Sequence, residues 1–183
     1  MVEEKTTEID GLILFKPEAY GDKRGVFMET YNKKEFDRRI DAKINFVQDN
    51  LSVSKKGVLR GLHLQKPPFD QGKFIQVLKG SVLDVVIDLR KTSSTYGQHY
   101  KIEINDKNRY QLWIPRGFAH GFLAKEENTI FSYKCDNPYS KDHEMSLLWN
   151  DKDLGIDWGI KNPLVSQKDM LAESFKNFNS PFK

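Results

Sequence analysis

The 183-residue sequence has a single cysteine, Cys135, and no apolar run long enough to span a membrane. A lone cysteine cannot form a disulfide within the chain, which favours a reducing, cytoplasmic setting. The longest apolar stretch, residues 82–89, is interrupted by Asp84 and Asp88, whereas a spanning helix needs about 20 apolar residues. The opening residues are too polar and acidic for a signal peptide. We therefore expect a cytoplasmic protein that does not enter a membrane.

The motifs of several large enzyme classes are also missing. No Gly-x-Gly-x-x-Gly follows a predicted strand, and the chain has neither a Gly-x4-Gly-Lys-Ser/Thr loop nor a Gly-x-Ser-x-Gly elbow. These absences disfavour hydride transfer, phosphoryl transfer and serine hydrolysis. The formal charge of +3 comes from closely alternating lysines and carboxylates without a long basic run. Nucleic acid is therefore not an expected partner.

Short segments rich in Val, Ile, Phe and Tyr, separated by turn sequences, make up most of the chain. This pattern predicts one mainly antiparallel, all-β domain of sandwich or barrel type over residues 1–183. Lys79-Gly80 is predicted to form a hairpin between two strands. The predicted strands span residues 12–15, 25–31, 44–53, 58–64, 73–78, 81–88, 100–104, 110–114, 121–124 and 128–134.

Helical signals are few. One helix is predicted at residues 33–40, because Asn32 can cap it and Glu35 occupies the third helical position, as in a capping box. The segment that begins at Trp149 mixes Asn, Asp, Gly and Pro with short apolar pieces, and we expect it to wrap the barrel. Residues 177–183 are expected to fray.

Two histidines and a lysine lie at spacings that resemble the two motifs of the cupin barrel. The matching stretches are Gly57-x5-His63, Lys73-x6-Gly80 and Pro115-x-Gly117-x2-His120. Metal-binding cupins place His-x-His, then Glu, then a third His in this frame, whereas this chain has Gln65 and Lys73 at two of those positions. An ammonium group repels a divalent cation and stabilises an oxyanion. The pattern predicts a metal-free acid–base site in a cupin-type double-stranded β-helix, or jelly-roll barrel, with a few short helices.

Several segments, in order along the chain, carry a second resemblance: Gly21-Asp-Lys-Arg24-Gly-Val-Phe-Met-Glu29, Phe46-Val-Gln48-Asp-Asn50, Arg60-Gly-Leu-His63-Leu-Gln65, Gln71-Gly-Lys73, Trp113-Ile-Pro-Arg-Gly-Phe-Ala-His120-Gly-Phe122, Tyr133-Lys134, Leu148-Trp-Asn-Asp151 and Ser166-Gln-Lys168-Asp169. On these segments the sequence resembles the dTDP-4-dehydrorhamnose 3,5-epimerase family from about residue 10 to about residue 175. The resemblance covers nearly the whole chain. It implies a nucleotide-sugar epimerase that converts dTDP-4-dehydro-6-deoxy-D-glucose to dTDP-4-dehydro-L-rhamnose. The reaction removes and returns protons at C3 and C5 through an enolate, without a cofactor or a metal.

Such a reaction needs a base, an oxyanion stabiliser and an acid on the opposite face of the sugar. His63 suits the base, because an imidazole is largely neutral at pH 7. The resemblance implies that Asp169 holds His63, that Lys73 holds the enolate oxygen and that Tyr133 is the acid. It also implies a homodimer in which the N-terminal strands cross to the partner, so that Arg24 and Glu29 complete the other subunit's site. The substrate-binding positions implied by the family are Arg24, Glu29, Gln48, Asn50, Arg60, His120, Tyr139, Glu144 and Lys168.

Several alternatives remain open from sequence. A single-site epimerase inverting only C3 or only C5 would share most of this frame. A metal-dependent cupin would use His63 and His120 with His99 or His143, and a nucleotide-sugar-binding module would use the same cations and aromatics without catalysis. Individual residues also have structural interpretations. His63 could be a core histidine, Lys73 an edge-strand lysine, Asp169 a helix cap, and Arg24 a surface partner of Glu29.

Overall fold

The computed structural model describes residues 3–183, which form fourteen strands and two short α-helices. The helices are α1 (Lys33–Ile40) and α2 (Gln167–Met170), and a 3₁₀ turn covers Lys141–His143. The strands, in chain order, are β1 (Glu3–Thr6), β2 (Ile13–Lys16), β3 (Ala19–Asp22), β4 (Gly25–Met28), β5 (Gln48–Ser54), β6 (Val58–Gln65), β7 (Lys73–Lys79), β8 (Ser81–Asp88), β9 (His99–Asn105), β10 (Gln111–Ile114), β11 (Phe118–Ala124), β12 (Thr129–Cys135), β13 (Glu144–Ser146) and β14 (Leu164–Val165).

Two sheets face each other across a hydrophobic core. The first has the order β1-β2-β10-β7-β12-β5, and the second has the order β13-β6-β11-β8-β9 with β14 joined in parallel to β6. The other strand pairs are antiparallel, and β3 and β4 form a separate hairpin. This is the predicted antiparallel, cupin-like jelly roll. No helix within residues 3–183 combines the length and the apolar surface needed to cross a bilayer.

The outer face of each sheet is also covered, which explains why several strands are apolar on both sides. Between the sheets, Val82 and Val86 of β8 pack with Phe131 of β12. On the other side of β8, Val85 and Ile87 pack against the C-terminal segment. Outside the first sheet, α1 contributes Phe36 to an aromatic cluster with Phe15, Phe74 and Trp113. A strand buried on both faces has no polar alternation, and β8 shows this pattern.

The predicted helix is confirmed at Lys33–Ile40, and Asn32 caps it by accepting a hydrogen bond from the backbone N–H of Glu35. Each predicted strand corresponds to an observed one, but β5 begins at Gln48 rather than at residue 44 and β4 ends at Met28. Four further strands, β1, β3, β13 and β14, are not predicted from the sequence. These strands are short or polar, and they form through pairing with neighbours that sequence does not identify.

The predicted hairpin at Lys79-Gly80 is wrong. β7 and β8 belong to different sheets, so the chain crosses from one sheet to the other at Gly80. Gly80 has a φ of 82°, and a Cβ there would lie 2.6 Å from Oγ1 of Thr129. Glycine therefore marks a true turn, but the turn joins the two layers rather than two paired strands.

The C-terminal segment wraps the second sheet, and the expectation of a frayed tail is wrong. Phe178 is buried against this sheet, and the hydroxyl of buried Ser180 donates a hydrogen bond to the carbonyl of Leu89. The backbone N–H of Lys91 donates to the carbonyl of Phe182 at 3.4 Å. The tail is mostly polar in sequence, but its phenylalanines pack on the apolar outer surface of the second sheet, and this packing orders the tail.

Asp88, at the end of β8, gives a testable pH dependence of stability. Its buried carboxylate accepts hydrogen bonds from Arg90, Ser93 and Thr95. Burial alone would raise the pKa, but these donors lower the pKa of Asp88 to about 2. Because the folded pKa lies below the unfolded value near 3.9, the stabilisation is complete above about pH 4 and is lost as the pH falls toward 2.

We expect Asp88→Asn to lower the free energy of unfolding at pH 7 by about 2 kcal/mol, the energy that corresponds to the pKa shift. The difference from the unmodified protein should shrink as the pH approaches 2. Urea unfolding at pH 7 and pH 3 measures both quantities. Equal destabilisation at the two pH values would contradict a role for the charged carboxylate.

Candidate active site

A cavity of about 430 Å³ opens between the two sheets. One wall is formed by β5, β7 and β12 of the first sheet, and the other by β6 and β11 of the second. Segments around β13 and α2 close its rim. Most of the site residues expected from the sequence line this cavity: Asn50, Arg60, His63, Lys73, His120, Tyr133, Tyr139, Glu144, Lys168 and Asp169.

His63 and Asp169 form a hydrogen-bonded pair on the wall made by the second sheet. Nε2 of His63 lies 2.7 Å from Oδ1 of Asp169, which is buried. Burial opposes ionisation of Asp169, but His63 and the backbone N–H of Gly61 hold the pKa of its carboxyl below the usual value. An ionised Asp169 keeps the imidazole proton on Nε2, which leaves Nδ1 with the lone pair that a base needs.

The structural alternatives for His63 and Asp169 do not match their surroundings. His63 lines the cavity rather than the apolar core. The N-cap of α2 is Ser166, whose Oγ accepts the backbone N–H of Asp169 at 3.1 Å, so Asp169 is not the cap. The carboxylate of Asp169 is free to meet His63.

His120 stands directly opposite His63 in the β6–β11 pairing. Its Nε2 lies 2.8 Å from Oδ2 of Asp84, a carboxylate fully buried on β8. The close approach of β6 and β11 depends on Gly61 and Gly121, since a Cβ on Gly61 would lie 2.5 Å from Cα of Gly121. The two histidines are therefore held side by side, and each is bonded to its own aspartate.

Lys73 lies on the opposite wall, at the start of β7. It is 8% exposed, and no ion pair or hydrogen bond to its ammonium occurs within the described part of the chain. Burial lowers the pKa of Lys73, while the negative charges of Asp84 and Glu144 act in the opposite direction. Burying a cation without a partner costs free energy, and such a cost is typical of a functional group that binds an anionic ligand. The alternative interpretation, in which Lys73 is an exposed lysine on an edge strand, is wrong because β7 is a central strand.

Tyr133 lies on β12, on the same wall as Lys73. Burial raises the pKa of Tyr133 to about 12, and the Arg60 guanidinium offsets only part of this rise. The phenol therefore keeps its proton at neutral pH in the empty site. Tyr133 can give up that proton only when a strong base, such as an enolate carbon, is in front of it.

Three residues expected to bind substrate form a connected cluster at the rim. Nζ of Lys168 lies 2.5 Å from Oε1 of Glu144, and the hydroxyl of Tyr139 donates to Oε2 of Glu144 at 3.0 Å. Although burial opposes ionisation of Glu144, these two donors keep its pKa below the usual value. Glu144 is thus charged, and it joins α2 to the segment around Tyr139.

Gln48 and Asn50 support the rim from β5. Oε1 of Gln48 accepts the backbone N–H of Tyr139 at 2.8 Å, and Nε2 of Gln48 donates to Oδ1 of Asn50 at 3.0 Å. Asn50 lines the cavity, whereas Gln48 lies just behind it. Gln48 therefore holds Tyr139 in this structure.

Arg24 and Glu29 lie outside this cavity in the single chain. Arg24 sits in the turn of the β3–β4 hairpin with its side chain 82% exposed, and it pairs with Asp22 at 2.6 Å rather than with Glu29. Glu29 accepts a hydrogen bond from Asn32 at 3.3 Å near the start of α1. Neither residue touches His63 or Lys73 within one chain.

Sequence reasoning missed Asp84 as a member of the site. In the sequence, Asp84 stands out only as a charge that interrupts the apolar run of β8. A carboxylate in a strand buried on both faces needs a nearby hydrogen-bond donor, and this was the available signal. His120 satisfies Oδ2, whereas Oδ1 of Asp84 has no hydrogen-bond partner within residues 3–183.

The side chains give no support to the metal-dependent alternative. Within the described residues, no three His, Cys, Asp or Glu side chains are grouped as metal ligands. His143 accepts or donates a hydrogen bond with Ser140 at 2.8 Å, and His99 lies on β9. Neither of them lines the cavity that contains His63 and His120.

Known proteins share both the sequence and the fold. A family model described as dTDP-4-dehydrorhamnose 3,5-epimerase matches residues 6–177. The enzyme of that name from Shigella flexneri is 47% identical over 169 residues, which cover 92% of this chain and 93% of that protein. The crystal structure of the same enzyme from Elizabethkingia anophelis has a TM-score of 0.92 and 44% identity, covering 96% of this chain and 97% of that one.

A further structure is that of a dTDP-6-deoxy-D-glucose-3,5-epimerase from Legionella pneumophila in complex with dTDP-4-keto-L-rhamnose. Its TM-score is 0.93 at 39% identity, and the match covers 98% of this chain and 95% of that one. These similarities extend over nearly the whole chain, including both walls of the cavity. The chain therefore belongs to the dTDP-4-dehydrorhamnose 3,5-epimerase family, whose members are isomerases.

Proposed function

We propose that the protein converts dTDP-4-dehydro-6-deoxy-D-glucose to dTDP-4-dehydro-L-rhamnose by inverting C3 and C5, as a step of deoxysugar biosynthesis in the cytoplasm. The observation that supports this most directly is the placement of a base and an acid on opposite walls. His63 projects from the second sheet, and Tyr133 projects from the first. Inversion of a carbon requires a proton to leave one face and another to arrive at the opposite face.

The proposed first step is proton removal from the carbon next to the ketone by Nδ1 of His63. The electron pair of the broken C–H bond moves to the ketone oxygen, and the Lys73 ammonium stabilises the resulting enolate. Asp169 stabilises the imidazolium through Nε2, to which it is already bonded. No group in this step changes its oxidation state.

The second step returns a proton from the hydroxyl of Tyr133 to the opposite face of the same carbon. His63 is then protonated and Tyr133 is an anion, so both must exchange protons with solvent before a second carbon is inverted. Arg60, close enough to lower the pKa of Tyr133, stabilises that anion. Solvent protons therefore enter the product at every inverted carbon.

The rim residues are proposed to bind the nucleotide part. Lys168 and Arg60 carry positive charge into the cavity mouth and suit the diphosphate, for which guanidinium groups are good bidentate donors. Tyr139, which is half exposed, offers a ring face to the thymine. The sugar and ribose hydroxyls are proposed to contact the remaining cavity residues Asn50, Glu144 and His120.

The test is incubation of the purified protein with dTDP-4-dehydro-6-deoxy-D-glucose in D₂O, with deuterium followed at each carbon by NMR. Deuterium at both C3 and C5 with inversion is expected. Deuterium at one carbon alone would reassign the protein as a single-site epimerase. Binding of dTDP without any exchange would favour a different 4-keto sugar or a binding module.

We also propose that the protein is a homodimer in which the β3–β4 hairpin reaches the partner's cavity. Phe27 of this hairpin is 74% exposed, and Val26 and Tyr20 beside it are also exposed. β5, at the edge of the first sheet, presents exposed Leu51 and Val53 next to the cavity. Exposed apolar side chains on an edge strand and on a hairpin are typical of association surfaces.

If Arg24 completes the partner's site, two inactive variants should restore each other. Arg24→Ala and His63→Ala subunits, co-refolded in equal amounts, are expected to recover about one quarter of the wild-type activity, because half of the dimers contain one intact site. The matched control is a mixture of Arg60→Ala and His63→Ala, which removes two residues of the same cavity and should recover nothing. Equal activity of the two mixtures would contradict the exchanged hairpin.

A further inference from the structure

The ends of three strands meet beside Lys73. Lys73 is the first residue of β7, and it pairs with Ile114, the last residue of β10, and with Cys135, the last residue of β12. The regular pairing of β7 with both neighbouring strands ends at Lys73. The backbone of Lys73 is therefore at a place where strands ordinarily fray.

A chain of polar contacts ties these three ends together. Oδ1 of Asp136, which follows β12, accepts the backbone N–H of Gly72 at 2.7 Å, and the N–H of Asp136 donates to the carbonyl of Gly72 at 3.2 Å. Nε of Arg116, which follows β10, donates to Oδ2 of Asp136 at 3.0 Å. Arg116 also lies 3.6 Å from Asp70. We call these four residues, Asp70, Gly72, Arg116 and Asp136, the Arg116 network.

Gly72 is fixed from its other side as well. A Cβ at this position would lie 2.5 Å from the ring of Trp113 and 3.1 Å from Oδ2 of Asp136. The residue before Lys73 is thus enclosed by an indole ring and held by a carboxylate. Its backbone has little freedom to move along β7.

The side chain of Lys73, in contrast, has no hydrogen bond or ion pair with any described residue that would fix its position. His63 is held by Asp169 and His120 by Asp84, but Lys73 depends on its own backbone. We propose that Asp136 and Arg116 are positioning residues that place Lys73 for the enolate oxygen. This inference rests on the role of Lys73 in the proposed function.

Loss of this support should reduce kcat more than it changes KM. We expect Asp136→Ala to lower kcat by about 10–100-fold, the range for a displacement of roughly 1 Å at a reacting group. Arg116→Ala should act in the same direction with a smaller effect, because Asp136 keeps its bond to Gly72. Arg116 is 45% exposed, so its replacement leaves the fold intact even if Asp136→Ala, at a side chain only 7% exposed, does not fold.

A matched control exists at the other end of the same strand. Oδ2 of Asp106 accepts the backbone N–H of Gly80 at 2.9 Å, just after β7 ends. Asp106→Ala removes the same kind of contact far from Lys73. It should lower thermal stability but leave kcat within about twofold, since distant substitutions ordinarily act independently.

A double-mutant cycle with Lys73→Met separates positioning from general weakening. If Asp136 and Arg116 act through Lys73, adding Arg116→Ala or Asp136→Ala to Lys73→Met should change kcat by less than about twofold. The same loss in both backgrounds, or unchanged kcat in the two single variants, would overturn the inference. Wild-type protein that does not epimerise the substrate would overturn the proposed function itself, whereas an active wild type with unaffected network variants would overturn only this inference.

Discussion

Replacement of His63 by alanine is expected to lower kcat by about 10²–10⁴-fold, the range for loss of a general base. His63 lines the cavity, and its bond to Asp169 leaves Nδ1 as the free proton acceptor. Binding of dTDP should change little, because the proposed diphosphate contacts are made by other residues. Steady-state kinetics and calorimetric titration with dTDP measure the two quantities.

His99 offers the matched control for this substitution. It lies on β9 and does not line the cavity, so His99→Ala should retain activity within about twofold. Full activity of a folded His63→Ala variant would exclude His63 as the base. Loss of dTDP affinity without loss of kcat would show that His63 binds the substrate and does not act as the base.

Replacement of Lys73 by methionine is expected to cost about 3 kcal/mol of transition-state stabilisation, or about 10²-fold in kcat, as for removal of an oxyanion donor. The same variant should be more stable than the wild type, because methionine fills a similar volume without a buried unpaired charge. Kinetics and thermal unfolding on one sample measure both effects. A gain in stability together with a loss of turnover cannot come from misfolding.

Lys134 is the control for Lys73, since it lies one position before Cys135 on the neighbouring strand. Its ammonium pairs with Asp49 at 3.0 Å and lies over the ring of Tyr31, away from the cavity. Lys134→Met should leave kcat within about twofold. If Lys73→Met raises KM and leaves kcat unchanged, the lysine is a phosphate contact and not an enolate stabiliser.

The decline of activity at alkaline pH is expected to follow the loss of the proton from Lys73. Burial lowers the pKa of Lys73 in the empty site, so the ammonium loses its proton at a lower pH than an ordinary lysine does. Activity that depends on this charge should therefore fall before the normal lysine range is reached. In Lys73→Met that limb should be absent.

The sequence was most informative where local chemistry decides the structure. Asn32 and Glu35 predicted the first helix because a cap acts within a few residues. The strands were found from their apolar residues, but the partners of each strand were not. Gly80 shows the limit of prediction from sequence. Its turn was predicted correctly, but the two sheets that the turn connects are formed by contacts between residues distant in sequence.

Most of the candidate site was predicted by resemblance, and a smaller part by the spacing of residues. Spacing alone identified His63, Lys73 and His120, whereas Asp169 is 106 residues from His63 and joins it only through the fold. Asp84 was missed because its partner, His120, is 36 residues away on another strand. Arg24 and Glu29 lie outside the cavity of their own chain, and a single sequence does not show whether a second chain brings them to a site.

The placement of the proposed acid and base on two facing sheets has a consequence for the core between them. Because His63 belongs to one sheet and Tyr133 to the other, the separation of the proposed base and acid depends on the thickness of the layer between the sheets, which includes Ile75 and Val86. An exchange of one buried side chain for a larger or smaller one changes that thickness. Residues outside the cavity are thus expected to influence the stereochemistry of the product as well as the stability of the fold.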